Sequence, residues 1–233
     1  MTDKTPLLLL PGLLCDRRLW APQMASLADI AAPVVADLTR DASIEAMAQR
    51  ALAAAPRRFA LAGLSMGGYV AQEIMRQAPE RVMRLALLDT SARADTPEQR
   101  ERRLDLIALS RRGKFNGVTR RLLPQLIHPD RLGDAALVKI IAAMAEAVGA
   151  EGFRRQEAAI LARRDGRSDL AAIAVPTLVL CGRDDLLTPP ALAEEMAALV
   201  PNAERHMVAQ CGHITTLERP SEVSNALRRW LTR

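Results

Sequence analysis

Residues 57–78, RRFALAGLSMGGYVAQEIMRQA, set one serine between a short apolar run and a helical pattern, with Gly63, Gly67 and Gly68 crowded around it. A serine hydroxyl attacks an acyl carbon only when a base takes its proton and the oxygen is presented to substrate. A tight strand-to-helix turn achieves that presentation, holding the serine in a strained backbone conformation that tolerates only small neighbours. Gly63-Leu64-Ser65-Met66-Gly67 fits this G-x-S-x-G pattern, and Gly68 lets the helix approach closely. The start of the helix also leaves amide N–H groups unpaired beside the hydroxyl. The N–H of Met66 is therefore a candidate donor to a developing oxyanion. The stretch lacks a P-loop lysine and the G-x-G-x-x-G spacing of a dinucleotide loop, which argues against phosphate binding.

Such a turn needs a sheet beneath it, and the chain supplies the pattern of one. Short apolar runs at 7–10, 33–38, 58–63 and 84–89 alternate with helical periodicity at 18–29, 43–55 and 66–78. This alternation predicts a parallel sheet covered on both faces. It stops near Ser91. Residues 96–165 carry helical patterns only, with Thr96 and Pro97 as N-cap and first turn. Strand signals return at 175–182 and 204–210, interleaved with helices at 189–200 and 221–233. The expected fold is α/β: a mostly parallel sheet of about six strands, helices on both faces, and a helical insertion between the fourth and fifth strands. The core is assigned to residues 1–92 and 170–233 and the insertion to 93–169.

In this order of parts the chain resembles the α/β-hydrolase superfamily over nearly its full length. The resemblance makes the insertion a lid over the serine and orders the remaining residues as serine, acid, histidine. The stretch AQCGHITTLERP (209–220) resembles the family's histidine loop, which makes His213 the general base. His206 lies in a strand pattern and His128 in the helical insertion, where a surface or packing role is expected. The stretch LVLCGRDDLLTPP (178–190) resembles the G-x-x-D loop after the penultimate strand and selects Asp185 as the acid, ahead of Asp184 and Asp89. The stretch LLLLPGLLCDRRLW (7–20) resembles the family's first loop, so the N–H of Leu13 would be the second oxyanion donor. Pro11 stands where the family carries a loop-bracing histidine, a departure that bears on loop geometry. Met144, Leu106, Ile107, Leu109, Ile140 and Ile141 are candidates for the lid's apolar underside.

The expected activity is hydrolysis of a carboxylic ester, lactone or thioester through an acyl-enzyme, with no metal or organic cofactor. A serine at position 65 excludes the aspartate-nucleophile branches, the haloalkane dehalogenases and epoxide hydrolases. Perhydrolase, haloperoxidase-like or lyase chemistry on the same triad, and a non-catalytic binding role, stand as alternatives. With 233 residues and 49% apolar composition, the chain can bury one large core; with only 3% aromatic residues, aliphatic side chains must fill it. The net charge of +5 lies wholly within 93–169, which holds 16 Lys/Arg against 11 Asp/Glu. No nucleic-acid motif accompanies it. The excess is expected to be solvated surface, with attraction of an anionic ester, or of one carried by an acidic protein, as the alternative. Cys15, Cys181 and Cys211 have neither metal-ligand nor disulfide spacing, and are expected to be small buried thiols, with Cys15 and Cys211 open to modification. LLLLPGLLC is too short and broken to read as an export signal, and no 18-residue apolar window exists, so a cytoplasmic protein without a membrane span is expected.

Overall fold

The computed structural model describes residues 4–112, 117 and 122–233. Strands β1 (Thr5–Leu10), β2 (Ala31–Val35), β3 (Phe59–Leu64), β4 (Val82–Leu88), β5 (Thr177–Gly182) and β6 (Glu204–Val208) form one sheet of order β2-β1-β3-β4-β5-β6. Every pairing is parallel. The helices are α1 (Ala21–Ser26), α2 (Ile44–Ala54), α3 (Met66–Gln77), α4 (Pro97–Arg112), α5 (Leu123–Leu126), α6 (Ala135–Ala162), α7 (Pro190–Leu199), α8 (Thr215–Glu218) and α9 (Pro220–Thr232).

Side chains alternate across the sheet. In β1, Leu7 and Leu9 join a core shared with Trp20, Leu227 and Trp230, while Leu8 and Leu10 join one shared with Met47, Val70 and Met196. Thus α1 and α9 cover one face and α2, α3 and α7 the other. Strands buried on both faces read as continuous apolar runs, and β3 and β5 are buried along their whole length.

After β1 the chain crosses to β2 on one side and returns to β3 on the other. The carboxyl ends of β1 and β3 therefore flank a topological switch point, where α/β sheets open a crevice for ligands. The helices α4 to α6 are inserted between β4 and β5. Thr96 and Gln99 cap α4 reciprocally: the Thr96 N–H donates to Gln99 Oε1 at 3.0 Å, and the Gln99 N–H to Thr96 Oγ1 at 3.3 Å. Helix α6 breaks at Gly149, whose φ of 67° lies in the left-handed region that glycine adopts without a steric penalty. Of the helical pattern expected over 117–126, residues 118–121 lie outside the described residues, and α5 forms its C-terminal part.

Candidate active site

Ser65 sits between β3 and α3 with φ 55° and ψ −116°, a conformation that costs a non-glycine residue about 1–3 kcal/mol. Four hydrogen bonds hold it there: its N–H donates to Leu88 O at 3.0 Å, and its carbonyl accepts from the Gly68 N–H at 2.8 Å, the Tyr69 N–H at 3.4 Å and Thr90 Oγ1 at 2.7 Å. The turn is tight enough that a Cβ on Gly63 would collide with the Gly67 carbonyl, and one on Gly67 with the Leu10 carbonyl. Ser65 Oγ itself engages no hydrogen bond among the described residues. Neither does the N–H of Met66, the first residue of α3.

The loop after β1 lies against this turn, since a Cβ on Gly12 would be 3.4 Å from Ser65 Cβ. The Cys15 N–H donates to Gly12 O at 3.2 Å, closing a turn in which Leu14 has φ 58°. The N–H of Leu14 donates to Oε1 of Gln156 at 3.0 Å. The N–H of Leu13 donates to nothing among the described residues. Two unengaged amides thus flank the serine.

The histidine and the acid lie at the same, carboxyl-terminal end of the sheet, after β6 and β5. His213 Nδ1 lies 2.8 Å from Asp185 Oδ2, with both side chains buried. Asp185 follows β5, and its Oδ1 accepts the N–H groups of Leu187 at 2.8 Å and Thr188 at 3.0 Å. Its Oδ2 also accepts the Thr188 hydroxyl at 2.6 Å. All four acceptor directions are used, so the carboxylate is fixed in orientation. Burial pushes the Asp185 carboxyl up, but the imidazole and the hydrogen bonds outweigh burial and hold it below the usual range. Burial likewise pushes His213 down, and Asp185 more than reverses this, leaving the imidazole raised above its ordinary 6.5. Nε2 of His213 has no hydrogen-bond partner among the described residues.

The histidine loop is anchored through its backbone. His213 and Ile214 N–H groups donate to Leu126 O at 3.0 and 3.2 Å, so α5 sits directly over the loop. Glu218 reinforces this. Its buried carboxylate accepts the Gly212 N–H at 3.0 Å and the His128 N–H at 2.7 Å, tying the loop to the insertion.

Asp89, after β4, is fully buried and accepts from the Gly182 N–H at 2.9 Å and from the Thr215 hydroxyl. Burial first, then the charge of Asp185, pushes its carboxyl well above the usual range. It forms no hydrogen bond with His213 among the described residues, and Asp184 turns its half-exposed carboxylate outward. Asp89, Cys181 and Asp185 place ligand-type atoms within 4.8 Å of one another. Their carboxylate oxygens are already engaged, and burial drives the Cys181 thiol far up, away from a metal-binding thiolate.

His128 is mostly covered, with Nε2 3.7 Å from Asp184 Oδ2, and His206 pairs with Glu222 at 3.0 Å on the far strand. Of the residues expected beneath the insertion, Met144 and Ile141 are buried and Leu106 and Ile107 partly so. Leu109 and Ile140 are not: they are 65% and 38% exposed. Leu109 lies on α4, which buries no residue fully, and Ile140 on the outer side of α6. The three thiols are buried, and burial raises Cys15 to about 12, which removes the reactivity expected of an exposed cysteine. Sequence reasoning missed Thr188, Gln156 and Glu218. Thr188 is offset only three residues from Asp185, a spacing that suits a turn hydroxyl. The other two carry no local signal.

The model of the alpha/beta hydrolase fold family matches residues 37–220. A thermophilic esterase from Thermogutta terrifontis superposes with a TM-score of 0.88 and 30% identity, covering 98% of this chain and 90% of its own. The enol-lactonase of Burkholderia xenovorans LB400 superposes with a TM-score of 0.86 and 25% identity, covering 99% and 92%. A pimeloyl-[acyl-carrier protein] methyl ester esterase of Nitrosomonas europaea is 26% identical over 197 residues, 79% of this chain and 77% of that protein. With a six-stranded parallel sheet, a strained serine at its switch point and a family model spanning most of its length, the chain belongs to the α/β-hydrolase fold family.

Proposed function

We propose that the protein hydrolyses carboxylic esters through a covalent acyl-enzyme. Ser65 Oγ attacks the acyl carbon while Nε2 of His213 takes its proton. Asp185 holds the imidazole with Nδ1 protonated and stabilises the imidazolium. The N–H groups of Leu13 and Met66 receive the tetrahedral oxyanion, each donor worth about 10²–10³ in rate. His213 then protonates the leaving alcohol, the acyl–oxygen bond breaks, and water activated by the same imidazole releases the acid. The observation that carries this reading is the buried His213–Asp185 pair, with Nε2 unengaged, on the sheet edge that also holds the strained Ser65.

The insertion at 93–169 acts as a lid, excluding water from the oxyanion and shaping the acyl pocket. The relatives' names favour an ester, a lactone, or an ester on an acyl-carrier protein, and the basic excess of the lid favours a negatively charged one. The buried free thiols suit a reducing, cytoplasmic setting. A graded series of p-nitrophenyl esters, with Ser65→Ala as the blank, tests the proposal. Turnover and a covalent organophosphonate adduct in the parent, both lost in Ser65→Ala, are expected; equal turnover in Ser65→Ala would refute it.

A further inference from the structure

We infer that Gln156, on the second half of α6, is a positioning residue that braces the oxyanion loop from the lid. The inference rests on the reading of Leu13 as an oxyanion donor. Gln156 is 0% exposed, and its amide spans two loops that are distant in sequence. Oε1 accepts the Leu14 N–H at 3.0 Å, and Nε2 donates to Leu38 O at 3.2 Å. These partners fix the amide orientation, because a flipped amide would set donor against donor and acceptor against acceptor.

The loop needs an outside brace. Leu14 occupies the third position of the Gly12–Cys15 turn with φ 58°, where a turn favours glycine or asparagine. A leucine stays there only if its surroundings over-determine it. Pro11 offers no side-chain donor or acceptor to do so from within the loop. Two independent contacts come from the lid instead. One is the Gln156 bond to the Leu14 N–H. The other is an apolar cluster in which Leu14 packs with Ala145 and Phe153, with Leu13, Leu106 and Val148 alongside. The trans peptide between Gly12 and Leu13 sets its C=O and N–H in opposite directions. With that C=O held by Cys15 and the next N–H held by Gln156, Leu13 has little freedom to turn its own N–H. The lid therefore holds one wall of the oxyanion site as well as covering it.

The test compares Gln156→Met and Gln156→Glu with the parent in steady-state turnover of one p-nitrophenyl ester. Gln156→Met keeps length and apolar packing but neither hydrogen bond. Losing the brace costs less than losing the donor, so kcat should fall about 10-fold with KM within about two-fold. In Gln156→Glu, a protonated carboxyl reproduces both bonds, with its C=O accepting and its O–H donating; the ionised form repels Leu38 O. Its kcat relative to the parent at the same pH should rise as pH falls, a dependence that a packing role would not produce. Should Gln156→Met fail to fold, this ratio carries the test alone. A folded Gln156→Met with kcat unchanged, a loss confined to KM, or a pH-independent ratio for Gln156→Glu would overturn the inference. Undiminished turnover by Ser65→Ala would instead overturn the hydrolase reading.

Discussion

Asp185→Asn isolates what the acid does, because the surrounding hydrogen bonds dictate how the new amide must sit. Oδ1 of Asp185 accepts two backbone N–H groups, from Leu187 and Thr188. An asparagine keeps its carbonyl oxygen there, since the flipped amide would leave both donors facing NH₂. At about 1–3 kcal/mol for each buried donor left unpaired, the flip costs roughly 2–6 kcal/mol. The NH₂ group then takes the place of Oδ2, 2.8 Å from His213 Nδ1, and donates to it. Nδ1 must accept, so the proton moves to Nε2, the atom that should take the proton of Ser65. The geometry survives while the base is lost. The expected fall in kcat is about 10⁴-fold, the scale for a triad imidazole locked in the wrong tautomer, or about 5.4 kcal/mol at 1.36 per decade. Stopped-flow acylation with a p-nitrophenyl ester, alongside circular dichroism to confirm the fold, measures it. A folded variant retaining a tenth of parent kcat would show that Asp185 does not set the tautomer.

Two further outcomes follow from the same coordinates. The proposed mechanism needs neutral His213, and Asp185 raises its pKa above 6.5, so kcat/KM should fall as pH drops through a value above that; in Asp185→Asn the largest upward pull is lost, leaving only the charges of Asp89 and Glu218 against burial, and the acid limb of the pH profile should move lower. In Gly67→Ala, the added methyl meets the Leu10 carbonyl and should cost the upper part of the roughly 1–3 kcal/mol typical of overpacking; at about 2–4 °C per kcal/mol for a chain of this size, scanning calorimetry should show Tm lower by about 5–10 °C, and an unchanged Tm would contradict the close contact between α3 and β1.

How far the sequence disclosed this site depended on whether each residue's partners were near it in the chain. The Ser65 turn was legible because strand, serine, glycines and helix lie within one short stretch, and φ 55° is what that spacing demands. The strands were legible because double burial makes them apolar throughout. Leu109 and Ile140 were misplaced because periodicity gives a helix an apolar stripe without saying what covers it, and α4 leaves Leu109 bare. The short helix α8 escaped notice because Thr215 and Thr216 are poor helix formers; burial among their neighbours holds them instead.

The residues that escaped altogether share a physical character. Gln156 is 142 positions from Leu14, and Glu218 is 90 from His128. Both act on backbone N–H groups, which every residue but proline possesses. A side chain that reads another side chain leaves a trace in the types of both partners; one that reads backbone leaves a trace only in itself. Gln156 and Glu218 each stand in a helix among other polar residues, and nothing in type or spacing sets them apart. Folding distinguishes them by burying them: an amide at 0% exposure and a carboxylate at 1% must find partners or destabilise the fold. The partners they find are the two loops that carry Leu13 and His213. The buried polar groups of the insertion and of α8 thus converge on the loops that the proposed chemistry requires to be rigid, tying the insertion through backbone hydrogen bonds to the segments that carry Leu13 and His213.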